Sequence, residues 1–230
     1  VLGLLLPVEC PGCGRWDVPL CAECAAVWRA PPARCDQAAP ALAGADLPTW
    51  ALAPYAGRAR GTVLAWKGGG RADLGRPLAA AARAAGAAWA HTLAASGRSY
   101  VVVPAPSGWA RRARGLFVVG PIARAVADGV EDGGARGPVR VIDALRRGGG
   151  RARQAGLGAG ARGRNRRGTV RLARALPAGA GCLLVDDVVT SGATLAECRR
   201  VLVEAGFDVV GALVLAAAPN PGSAGGPAAP

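Results

Sequence analysis

With 230 residues, 51 % of them hydrophobic and many of those alanine, the chain has room for one α/β domain and a small appendage. Its 28 basic and 15 acidic side chains leave a net charge of +13, which suggests anionic partners. The Leu2–Leu6 run is short, lacks a basic leader and meets Pro7 at once, so neither a signal peptide nor membrane insertion is expected, and the expected location is the cytoplasm.

In chain order, the first feature is two Cys-x-x-Cys pairs, Cys10/Cys13 and Cys21/Cys24, seven residues apart. Each pair can turn two thiolates toward one metal, and two such knuckles complete a tetrahedral site with no open position. A structural Zn2+ is therefore expected over residues 1–40, ahead of a disulfide or redox pair. Cys35 is a competing ligand, although position 38 is alanine and gives it no Cys-x-x-Cys partner. Next, Leu47–Tyr55 reads as a strand, and Arg58–Lys67 and Asp73–His91 read as helices on either side of a triple glycine. Lys67 is the only lysine in the chain. A need for a compact ammonium would explain its retention among so many arginines, and so would chance. His91, the only histidine, reads as structural.

The β-branched run Tyr100–Pro104 predicts a buried strand, Phe117–Asp128 a helix, and Val139–Ile142 a further strand. From Ala144 to Val185 there are ten arginines and no Asp or Glu. That segment reads either as a mobile anion-binding loop or as a merely solvated run. Strand Cys182–Val185 and helix Ala193–Ala205 follow, the helix with Leu195, Cys198, Val201, Leu202 and Ala205 inward and Glu197, Arg199, Arg200 and Glu204 outward. Phe207–Ala217 is the last strand, and 219–230 reads as a disordered tail. The alternation predicts an α/β fold with a mostly parallel sheet covered by helices on both faces.

The most informative stretch joins these last elements. The strand delivers Asp186 and Asp187 to its C-terminal edge, and Thr190, Ser191, Gly192, Ala193 and Thr194 then enter a helix. Ligands of open α/β sheets bind at that edge, and a helix N-terminus offers N–H groups and a favourable dipole to an anion. Two acids for ribose hydroxyls beside a cradle for a 5′-phosphate describe a pentose-phosphate pocket. The bland alternative is a solvated acid pair followed by an ordinary Thr/Ser helix cap.

The string Asp-Asp-x-x-Thr-Ser-Gly-x-Thr resembles the signature of type I phosphoribosyltransferases, which bind phosphoribosyl pyrophosphate (PRPP). With the front cysteines, the Lys67–Gly68 step, the loop around Pro104 and Pro106, Arg114–Gly115, and the run Arg151, Gln154, Leu157, Arg162, Asn165 and Gly168, the chain resembles the ComF family of competence-associated phosphoribosyltransferase-like proteins from about Leu4 to Ala217. The resemblance implies a type I phosphoribosyltransferase-like domain over 41–218 and catalysis with Mg2+ as well as Zn2+. It implies that Asp186 and Asp187 hold the ribose, that residues 190–194 hold the 5′-phosphate, and that Ala105, Pro106, Ser107 and Arg114 hold the pyrophosphate. Lys67 and Arg162 are the candidate cations expected to stabilise the leaving diphosphate. It also implies competence-machinery partners and a part in DNA uptake. Where the family continues Arg-Gly with Phe-Asn-Gln, this chain has Leu116-Phe117-Val118. The alternative function is a non-catalytic nucleic-acid adaptor, with arginines on phosphates of single-stranded DNA or a nucleotide and Trp16 or Trp28 stacking on bases.

Overall fold

The computed structural model describes residues 8–94, 98–106, 119–135, 139–148 and 169–219. Strands are β1 (Ala33–Arg34), β2 (Thr49–Pro54), β3 (Tyr100–Pro104), β4 (Arg140–Val141), β5 (Leu145–Arg147), β6 (Val170–Leu172), β7 (Gly181–Val189) and β8 (Asp208–Ala217). Helices are α1 (Ala22–Ala26), α2 (Pro40–Ala43), α3 (Gly57–Lys67), α4 (Gly75–Ala94), α5 (Val119–Asp132) and α6 (Ala193–Glu204).

Six strands form one sheet in the order β1-β2-β8-β7-β3-β4, parallel throughout except for β1. Alternating side chains fill two cores, as a sheet buried on both faces requires. Val102, Leu183, Val185, Leu213 and Leu215 pack with α3, α4 and α5. Val101, Val103, Cys182, Leu184, Ala212 and Val214 pack with α2, α6 and the β5/β6 ribbon. The fold is thus a mostly parallel α/β sheet with helices on both faces and a four-cysteine cluster at the front. Helices α4 and α5 approach closely because a Cβ at Gly86 would overlap the Val126 carbonyl, and one at Gly129 the Arg83 carbonyl.

Several elements differ from the reading of the sequence. Strand β7 does not stop at Val185 but runs through both acids to Val189, because its ladder with β8 continues to Val189 opposite Ala217. Its ladder with β3 ends at Pro104 opposite Val185. The ribbon β5/β6 was not foreseen; it brackets 148–169, residues 149–168 lying outside the described ones. Glu197, expected outside, is buried at 6 % exposure, where Arg200 grips both of its oxygens at 2.8 and 2.9 Å. Trp28 is buried in the core and is not available to stack on a base. Cys182 and Cys198 are core residues, as read. The tail beyond 219 is outside the described residues.

Candidate functional site

From β3 the chain crosses to β4 on one side; from β7 it crosses to β8 on the other, and β3 and β7 are parallel neighbours. Their carboxyl ends therefore form a topological switch point, where the two outgoing loops part and leave a crevice. Among the described residues the β3–β7 ladder ends at Pro104 opposite Val185, and Asp186 and Asp187 are the next two residues of β7. The Ala105 N–H donates to the Val185 carbonyl at 2.8 Å, which brings Ala105 and Pro106 beside the acids. Arg147 Nε donates to the Pro106 carbonyl at 3.2 Å and adds a guanidinium that the sequence reading had not singled out; its only signal was a place at the front of the arginine-rich segment.

The two acids are not equivalent. Lys67, the last residue of α3, places Nζ 2.8 Å from Asp187 Oδ2, with side-chain exposures of 19 % and 10 %. Composition had picked out this lysine, and the fold brings it to the acid pair. Burial pushes the Asp186 carboxyl up to about 7, helped by the negative charge of Asp187 and opposed by the Asp187 N–H, Lys67 and Arg147. That N–H donates to Asp186 Oδ1 at 2.8 Å. Asp187 is itself buried, so the pair is not simply the solvated one of the bland alternative.

After Val189 the chain turns through Thr190, Ser191 and Gly192 into α6. Gly192 is the N-cap, at φ 75°, and no side chain caps the helix. The cap reading of Thr190 and Ser191 therefore fails. Among the described residues, the N–H groups of Ser191, Gly192, Ala193 and Thr194 meet no acceptor, so they remain free to bind an anion. A Cβ at Gly192 would overlap Leu42, and the Ala41 N–H donates to the Ser191 carbonyl at 3.2 Å. Helix α2 thus supports the turn from below. Asp186, Val188 and residues 189–195 line a small polar hollow open to solvent. Ser107, Arg111, Arg112, Arg114, Arg162 and the rest of 151–168 lie outside the described residues.

At the other end of the chain, the thiols of Cys10, Cys13, Cys21 and Cys24 all lie within 4.8 Å of one another, and Cys13 Sγ is 3.6 Å from Cys21 Sγ. Tetrahedral zinc–thiolate bonds set sulfurs about 3.8 Å apart, so the four could bind one zinc ion. Although burial opposes it, hydrogen bonds from the Cys21 and Gly12 backbone bring Cys10 down to about 6, whereas burial and the neighbouring thiols push Cys24 up. Cys35 stands apart, its Sγ 3.5 Å from the Thr49 carbonyl. Trp16 projects from this module, 61 % exposed. Among the described residues no helix is long and apolar enough to cross a membrane.

Comparison with curated proteins finds no match. Residues 112–224, which hold the acid pair and the turn into α6, match the family model of the phosphoribosyl transferase domain, and the match supports the phosphoribosyltransferase superfamily for this chain.

Proposed function

We propose that the chain is a PRPP-binding phosphoribosyltransferase of the ComF type, Mg2+-dependent, cytoplasmic and divided into a zinc module (1–40) and a catalytic domain (41–218). The observation that carries the reading is the acid pair beside an uncapped helix N-terminus at the sheet's switch point. Asp186 and Asp187 accept hydrogen bonds from the ribose 2′- and 3′-hydroxyls. The N–H groups of 191–194, with the Thr190, Ser191 and Thr194 hydroxyls, hold the 5′-phosphate. Ala105 and Pro106, joined by Ser107 and Arg114, border the diphosphate. Mg2+ arrives with PRPP as part of the substrate.

Transfer breaks the bond from the anomeric carbon to the diphosphate oxygen, whose electron pair leaves with the diphosphate. The acceptor's lone pair forms the new bond, and its proton passes to solvent. Charge grows on the diphosphate, and fixed cations in a water-poor crevice stabilise it more than water would. Lys67, Arg147 and Arg162 are the cations assigned to that task. Cys10, Cys13, Cys21 and Cys24 hold Zn2+, which with four thiolates keeps no position for substrate and stabilises the module.

The test is calorimetric titration with PRPP and Mg2+, followed by diphosphate release across a panel of bases and nucleotides. Binding with base-dependent release is expected, and the base that accelerates release is the acceptor. A chain that binds no PRPP overturns the reading.

A second reading, a nucleic-acid adaptor serving DNA uptake with competence-machinery proteins, is favoured by exposed Trp16 and the charge of +13. It requires single-stranded DNA binding that weakens steeply with salt and no base-dependent diphosphate release.

A further inference from the structure

The cysteine module grips helix α3 before, along and beyond the stretch that ends in Lys67. Near the start of the helix, Arg58 Nη2 pairs with Glu23 Oε2 at 2.9 Å, and Glu23 stands between Cys21 and Cys24. In the middle, backbone lies on backbone. A Cβ at Gly61 would overlap the Pro11 carbonyl, and one at Gly12 would fall 3.2 Å from the Arg58 carbonyl. Just past the helix, Arg71 Nη1 donates to the Glu9 carbonyl at 2.8 Å and Nη2 to the Pro19 carbonyl at 2.6 Å. Glu9 precedes the first cysteine pair and Pro19 closely precedes the second. The same guanidinium is held flat by Asp73 at 2.8 and 2.9 Å.

Lys67 lies between these anchors. A helix turns about 100° and rises about 1.5 Å per residue, so a small rotation or slide of α3 carries Nζ beyond hydrogen-bond reach of Asp187. Core packing alone leaves that freedom, because apolar contact is non-directional. Directional bonds at both ends remove it.

Resting on the PRPP site proposed above, we infer that Arg71 is a positioning residue: it ties both cysteine knuckles to the chain after α3, fixes Lys67 against Asp187, and so makes PRPP affinity depend on the integrity of the four-thiol cluster. Arginine suits the task because one rigid fork satisfies two carbonyls and a carboxylate at once, which an ammonium cannot do in the same plane.

A double-mutant cycle on the full chain tests this, with titration by PRPP and Mg2+ as the readout. Arg71→Ala is expected to weaken binding about tenfold when Lys67 is present and less than about twofold in Lys67→Met, since coupled residues are non-additive. Equal losses in both backgrounds would mean general loosening and would overturn the inference, as would wild-type affinity in Arg71→Ala. Should Arg71→Ala fail to fold, Arg71→Lys keeps the charge without the fork and is read in the same cycle, with the same two outcomes. Zinc chelation is expected to lower wild-type affinity to the Lys67→Met level and to leave Lys67→Met nearly unchanged. Wild type that binds no PRPP defeats the site reading and this inference together; wild type that binds PRPP but shows no Arg71 coupling defeats this inference alone.

Discussion

Lys67 Nζ and Asp187 Oδ2 are 2.8 Å apart, so the chain's only lysine neutralises one of two adjacent acids and leaves its neighbour to share a proton. Burial raises the proton affinity of that neighbour, Asp186, into the neutral range.

Removing the partner of Lys67 is therefore expected to cost stability as well as binding. Asp187→Asn leaves a largely buried ammonium without its charge partner, worth about 1–3 kcal/mol, or a drop in Tm on the order of 5 °C. PRPP affinity is expected to fall about tenfold with it. Thermal melts and calorimetry check both numbers, and an unchanged Tm would mean the pair is not formed in solution.

Asp186 sets a pH dependence. Its folded pKa of about 7 lies above the ordinary carboxylate value of 3.8, so between those pH values the folded chain holds a proton that the unfolded chain has released. Its contribution to stability is then full below about pH 4 and is lost as pH rises toward 7. Denaturant midpoints at pH 5 and 7 should show wild type losing stability relative to Asp186→Asn. Binding should move the other way, since the ionised carboxylate is the better acceptor for ribose hydroxyls. PRPP affinity is expected to rise from pH 6 to 8 more steeply in wild type than in Asp186→Asn; parallel slopes would remove Asp186 from the contact.

Gly192→Ala should damage the anion cradle from two directions. The residue sits at φ 75°, where a side chain costs about 1–2 kcal/mol, and its Cβ would overlap Leu42. Loss of at least tenfold in PRPP affinity, with a lower Tm, is expected. Wild-type binding in this variant would place the phosphate elsewhere.

Purified protein should carry about one zinc per chain by elemental analysis. Cys10→Ser or Cys21→Ser should lose it and loosen the module, because metal binding there is also folding energy. Full zinc content in both variants would refute the four-thiol site.

Where a local signal matched its surroundings, the sequence was readable. Tyr100–Pro104 is strand β3 as its β-branched run predicts, and α6 begins at Ala193 as expected. Strand β7 outran its reading because two carboxylates look like a stop, whereas pairing with β8 continues past them. Glu197 was misplaced because helical periodicity cannot see that Arg200 folds back over it. The β5/β6 ribbon was invisible because its strands are only three residues long, too short for an alternation to stand out, and sit among arginines. The acid pair and its turn stood out in the sequence because they are contiguous. The contributions of Leu42 and Arg147 did not, because only the fold brings them there.

The position of β8 between β2 and β7 has a consequence for synthesis. The strand that leads into α3 and Lys67 and the strand that carries Asp187 share no hydrogen bonds with each other; both wait for β8, the latest of the described strands in sequence. Until residue 217 has left the ribosome, each half presents an unpaired edge, the kind of surface that draws in other chains. A frameshift or truncation within 208–217 should therefore yield insoluble material and not a merely weakened protein, and a nascent chain stalled there should be an unusually good chaperone client.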